Sequence, residues 1–117
     1  MARFFLSLIT ALFMSVAAQA HSPLMGLTPS DGAVLSAAPE AIEMRFRGAA
    51  RLIRFQLVND GDGAKIGLGE SHLMVESDEH RIILPPLPAG DFTASWRALS
   101  EDGHVIKGGF SFSVTGG

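Results

Sequence analysis

Residues 92–114 read FTASWRALSEDGHVIKGGFSFSV, and two alternating runs frame this stretch. Phe92, Ala94, Trp96 and Ala98 alternate with Thr93, Ser95 and Arg97; after Glu101-Asp102-Gly103, the residues Phe110, Phe112 and Val114 alternate with Ser111, Ser113 and Thr115. Period-two alternation puts apolar side chains on one face of a strand and polar ones on the other, so the stretch predicts a β-hairpin closed by an Asp-Gly turn.

The same pattern extends towards the N-terminus. Ile42, Met44 and Phe46 alternate with charged neighbours, and Ile53, Phe55 and Leu57 do so again before the turn-rich run Asn59-Asp60-Gly61-Asp62-Gly63. Shorter strands are expected around Ile66 and Leu68, Leu73 and Val75, and Ile82 and Leu84. Pro85-Pro86-Leu87-Pro88-Ala89-Gly90 lacks three amide donors and reads as a crossover between strands. About seven short strands, no helical periodicity and one inward-phased Trp predict an all-β fold, an antiparallel Greek-key β-sandwich. A small barrel is the second choice.

Composition narrows the function. The 117 residues carry 9 Lys+Arg against 12 Asp+Glu, a formal charge of −3 that offers no basic surface for nucleic acid. With no cysteine, the chain has no disulfide, thiolate metal site or thiol nucleophile. Any metal must bind through His, carboxylate, Met or backbone nitrogen. The first twenty residues, MARFFLSLITALFMSVAAQA, combine Arg3, an apolar run and Ala18-Gln19-Ala20, which predicts a cleaved secretory signal over 1–20 and an exported domain over 21–117. The apolar run is shorter than the roughly twenty residues that span a bilayer, and no second stretch of that length follows, so no membrane anchor is expected after cleavage.

Cleavage after Ala20 would make His21 the first residue, and a histidine there offers both its α-amine and its imidazole Nδ1 to one metal ion. No internal histidine can close that chelate. Pro23 has no amide hydrogen, so successive deprotonated amides cannot complete the set, and other ligands must come from the fold. Asp102-Gly103-His104 at the hairpin tip can supply them. His21, Asp102 and His104 together give three nitrogens and one oxygen, which suits tetragonal Cu(II), with Zn(II) the competitor on donor type. The plainer alternatives are a chance first histidine and an Asp-Gly pair serving only as a type I′ turn.

At this point the sequence resembles the CopC-type periplasmic copper-binding proteins of bacterial copper resistance and uptake. The matching residues are His21-Ser22-Pro23-Leu24, Pro29-Ser30-Asp31-Gly32-Ala33 with Leu35, Pro39 ahead of the strand at Ile42, Leu87-Pro88-Ala89-Gly90-Asp91-Phe92, Trp96-Arg97 with Ser100-Glu101-Asp102-Gly103-His104, and Gly108-Gly109-Phe110-Ser111-Phe112. The resemblance covers essentially the whole of 21–117. It implies a seven-stranded cupredoxin-like or immunoglobulin-like sandwich binding one Cu(II) per chain through His21, Asp102 and His104. It also implies a monomer in the periplasm that stores copper or passes it to an inner-membrane transporter of the CopD type.

Many family members carry a second, Cu(I)-selective site in a Met-rich loop, yet residues 60–71 contain no methionine. Met44 fits the inward phase of its strand and reads as core. His72, Met74 and His80 are weighed as a loose soft site and read instead as two surface histidines flanking a short strand. Two other functions compete with Cu(II) binding. A polysaccharide monooxygenase also begins with a metal-chelating histidine, but a chain with no Tyr and one inward-phased Trp is poorly equipped for a sugar-binding face. A metal-free structural module makes no use of His21. The sequence therefore predicts a non-enzymatic copper(II)-binding protein of copper homeostasis.

Overall fold

A computed structural model describes residues 23–116, and the expected signal segment and His21 lie outside them. Seven strands follow one another: β1 (Leu24–Thr28), β2 (Ala33–Leu35), β3 (Ala41–Asn59), β4 (Lys65–Ile66), β5 (Glu76–Ile83), β6 (Gly90–Ser100) and β7 (Val105–Val114). There is no helix among the described residues. The strands hydrogen-bond in the order β1-β3-β6-β7-β2, with β4 and β5 also joined to β3.

The long β3 explains the layering. Its first half pairs with β1 on one side and β5 on the other, while its second half, from Ala50 onward, pairs with β6. The two runs expected as separate strands are therefore one strand passing from one layer of the sandwich to the other. The intervening Arg47-Gly48-Ala49-Ala50 contains no Pro, Asn or Asp to close a turn, so the backbone stays extended and shifts its partners instead. A second register shift between Leu52 and Arg54 changes the inward phase. Leu52 becomes fully buried and Ile53, expected inside, turns outward.

Other differences are local. Leu73 to Val75 is not a strand: Leu73 N–H donates to Glu70 O, Met74 N–H to Leu52 O, and Met74 sits at φ 63°. The strand begins only at Glu76. The sandwich is also not wholly antiparallel, because β2 runs parallel to β7, with Ala33 beside Phe112. The proline-rich run does leave the ladder and carries the chain from β5 to β6, which are not paired with each other.

The two layers meet over the inward faces of β3, β5, β6 and β7. Phe46 from the first half of β3 packs edge-on against Trp96 of β6 at 5.4 Å, and Phe92 stacks on Phe112 at the same separation. Met44 is core, as its phase predicts. Trp96 lies directly opposite Gly108, where a Cβ would come within 2.6 Å of the indole, so glycine is what lets β7 pass beneath the ring. The β6–β7 ladder runs without a break from Gly90↔Val114 to Leu99↔Val105 and holds the hairpin tip on a braced base.

Candidate metal centre

The tip spans Ser100 to His104. Gly103 N–H donates to Ser100 O at 3.0 Å and Ser100 N–H to His104 O at 2.9 Å. Glu101 and Asp102 are thus the central residues, and only Gly103, with φ 85°, is left-handed. This is not the type I′ turn expected for Asp-Gly, which needs positive φ at both residues. The consequence is chemical. Asp102 keeps an ordinary backbone and folds its carboxylate back over the loop, towards Ser100 and His104.

Every contact of that carboxylate is local. Oδ1 accepts the Ser100 hydroxyl and, at 3.2 Å, the His104 amide; Oδ2 lies 2.8 Å from His104 Nδ1. These bonds, first the Ser100 hydroxyl and then the His104 ring and amide, pull the Asp102 pKa down to about 2. An ionised carboxylate only accepts, so Nδ1 must carry the hydrogen between them. Both side chains are exposed, His104 at 80% and Asp102 at 68%, so solvent or a solute reaches the pair freely. Ser100 is not among the ligands or positioning residues expected from the sequence. A hydroxyl two residues ahead of an Asp in a tight turn is the signal that points to it.

An open cleft of about 470 Å³ adjoins this pair and is lined by Pro23, Arg47, Gly48 and Glu101 as well as Asp102 and His104. Pro23 is fixed there because Arg47 N–H donates to its carbonyl at 2.7 Å, just ahead of the pairing of Leu24 with Phe46. The structure therefore brings two of the three expected ligands together and sets the chain two residues after the third beside the same cleft. Among the described residues no three His, Asp or Glu side chains gather as a metal-holding group.

His72 and His80 are both buried, contrary to the expectation of surface histidines. His80 Nε2 lies 2.7 Å from Ser77 O and 3.0 Å from Ala50 O, so it donates to carbonyls and ties β5 to β3 where β3 changes layers. Its ring stands edge-on to Phe46, and that of His72 edge-on to Phe55. Burial lowers the His72 pKa and favours its neutral form. Met74 is exposed.

Comparison with known proteins gives a consistent result. The family model described as the CopC domain matches residues 24–115. Copper resistance protein C of Pseudomonas syringae pv. tomato is 33% identical, with 94% of each chain covered, and Protein YobA of Escherichia coli K12 is 31% identical over 96% of this chain and 93% of its own. The crystal structure of CopC from Methylosinus trichosporium OB3b superimposes with a TM-score of 0.67 at 25% identity, covering 82% of this chain and 95% of that one. PcoC, a copper resistance protein from Escherichia coli, gives a TM-score of 0.60 at 27% identity, covering 79% and 98%.

Proposed function

This chain belongs to the CopC family of copper-binding resistance proteins, which are not enzymes, and on that premise we propose that it holds one Cu(II) in the periplasm for storage or transfer. The signal-like segment 1–20 supports export, and cleavage after Ala20 would supply the α-amine and Nδ1 of His21. His104 adds a third nitrogen and Asp102 an oxygen. An inner-membrane transporter of the CopD type is the proposed recipient.

The observation that carries this reading is the 2.8 Å separation of Asp102 Oδ2 and His104 Nδ1 at the mouth of the cleft that Pro23 also lines. Two donors each roughly 2.0 to 2.1 Å from one ion and at right angles to each other are about 2.8 to 3.0 Å apart. The pair thus already stands at the separation of two adjacent ligands, and binding through Nδ1 would require the ring to give up its hydrogen and turn towards the ion. The carboxylate charge offsets part of the copper charge and favours Cu(II) over Cu(I).

Titrating the chain that starts at His21 with Cu(II) should give one tightly bound ion. Its paramagnetic resonance should be that of a tetragonal centre with three nitrogens and one oxygen, and with no cysteine it should show no intense thiolate band. Two tight ions per chain would overturn this stoichiometry.

Proton competition gives a second test. Asp102, with its pKa near 2, stays ionised through mild acid, and its contribution is lost only as pH falls towards that value. Amine and imidazole donors have ordinary values of about 7.7 to 8.0 and 6.5 and must shed protons to bind. Affinity should therefore begin to weaken below about pH 8 as the amine protonates and fall more steeply below about pH 6.5 as the imidazoles follow. A competition titration with a chelator of known pH dependence measures this, and a flat curve from pH 7 to about 4 would point to a carboxylate site elsewhere.

A further inference from the structure

The outer face of the sheet that carries the hairpin holds a row of cations with no counter-charge. Arg54 of β3 lies directly opposite Arg97 of β6, and Arg97 directly opposite Lys107 of β7. All three are exposed, and among the described residues none pairs with a carboxylate; Arg54 Nη2 donates instead to the Gln56 side chain at 2.7 Å. Like charges facing each other across strands destabilise a sheet. Here three of nine cations are gathered in one register line on a chain whose net charge is −3.

Two features give the row the form of a receiving surface. A concavity of about 240 Å³ is lined by Arg54, Arg97, Lys107 and Ser95, and Ser95 faces Gly109, which has no side chain to cover it. The row also lies close to the hairpin tip. On that face only the Leu99–Val105 pair, whose Val105 is 57% exposed, separates it from the loop that holds Asp102 and His104.

We propose that Arg54, Arg97 and Lys107 form a docking surface for a carboxylate-rich segment of a partner protein. Neighbouring strands are about 4.8 Å apart, so the row spans roughly 10 Å, the reach of three or four residues of an extended acidic segment. A bilayer fits less well, because lipid recognition draws on clusters of about four to eight basic residues and this chain is acidic overall. On the copper-transfer reading proposed above, a partner seated here has its bound segment next to the metal loop.

Fluorescein-labelled hexaglutamate is the probe, followed by anisotropy at about 10 mM salt, where the screening length is about 30 Å. The peptide should bind the chain that starts at His21 and weaken at least about tenfold at 150 mM salt. The triple variant Arg54→Gln, Arg97→Gln, Lys107→Gln should bind at least about tenfold more weakly, whereas Arg45→Gln, on the other sheet, should bind like the parent. Relief of cross-strand repulsion should leave the triple variant's Tm equal or higher, which separates lost docking from lost folding. No binding at low salt, equal binding by parent and triple variant, or binding confined to phosphatidylglycerol vesicles would each overturn the proposal. Cu(II) affinity measured on the same proteins should not change with the triple substitution. A parent that binds peptide but not copper would count against the copper reading alone.

Discussion

Replacing Phe92 with Ala is expected to destabilise the fold by about 3–5 kcal/mol, a large part of the 5–15 kcal/mol that holds a typical domain together. Phe92 is fully buried, faces Phe112 across the β6–β7 ladder and stacks on it with ring centroids 5.4 Å apart. Truncation removes the ring that Phe112 stacks on and leaves a cavity between strands whose backbones are fixed by hydrogen bonds, so the site cannot collapse to fill it. Urea unfolding should show a lower midpoint with an unchanged slope. Thr93→Ala, one residue along on the wet face, should cost far less, although its hydroxyl bonds Asp60 at 2.8 Å. A Phe92→Ala cost below about 1 kcal/mol would mean that the ring does not hold the core as its burial requires.

The burial of Phe92 is legible in the sequence because β6 and β7 each have one wet face and one dry face, and period-two alternation then reports burial directly. Where a strand changes layers the pattern loses that meaning. The register shift after Leu52 puts Ile53 outside, and between Phe46 and Leu52 only Gly48 breaks the run, which signals an irregularity without showing that β3 leaves one sheet for the other. β1 and β2 are short, and the pairing that defines them is long-range: Ala33 lies beside Phe112 at the far end of the chain. His80 follows the pattern, in phase with the buried Ile82 and Leu84, but its polar ring hides that phase from a reading by hydrophobicity. Its burial is sustained by a pair of backbone carbonyls, Ser77 O and Ala50 O, and carbonyls have no sequence signature.

The candidate site divides along the same line. Asp102 and His104 can be paired from sequence because one turn contains both. Ser100, which lowers the Asp102 pKa most, acts through a loop geometry that differs from the expected Asp-Gly turn. The bond from Arg47 N–H to Pro23 O, which sets the N-terminal segment beside the cleft, joins residues far apart in sequence and becomes visible only in the fold.

That bond leads to the test with the largest expected effect on function. Prepared once starting at His21 and once with Gly-Ser ahead of it, the domain should fold alike, since every described strand begins at Leu24 or later. Copper should tell the two apart. The added residues turn the α-amine into an amide, which is uncharged, donates poorly unless deprotonated and cannot close the same chelate ring with the imidazole. Asp102 and His104, 2.8 Å apart and open to water, would be left with only the His21 imidazole, now a single donor that is no longer part of a chelate. Cu(II) affinity should fall by roughly a thousandfold or more, about 4 kcal/mol, because one equatorial ligand and its chelate ring disappear together. Unfolding midpoints of the two metal-free proteins should coincide, which assigns the loss to the ligand. If the extended protein binds Cu(II) as tightly as the one beginning at His21, the N-terminal chelate is wrong. The two remaining donors at the tip would then be too few for a tight site, and the copper ligands would have to be sought elsewhere on the chain.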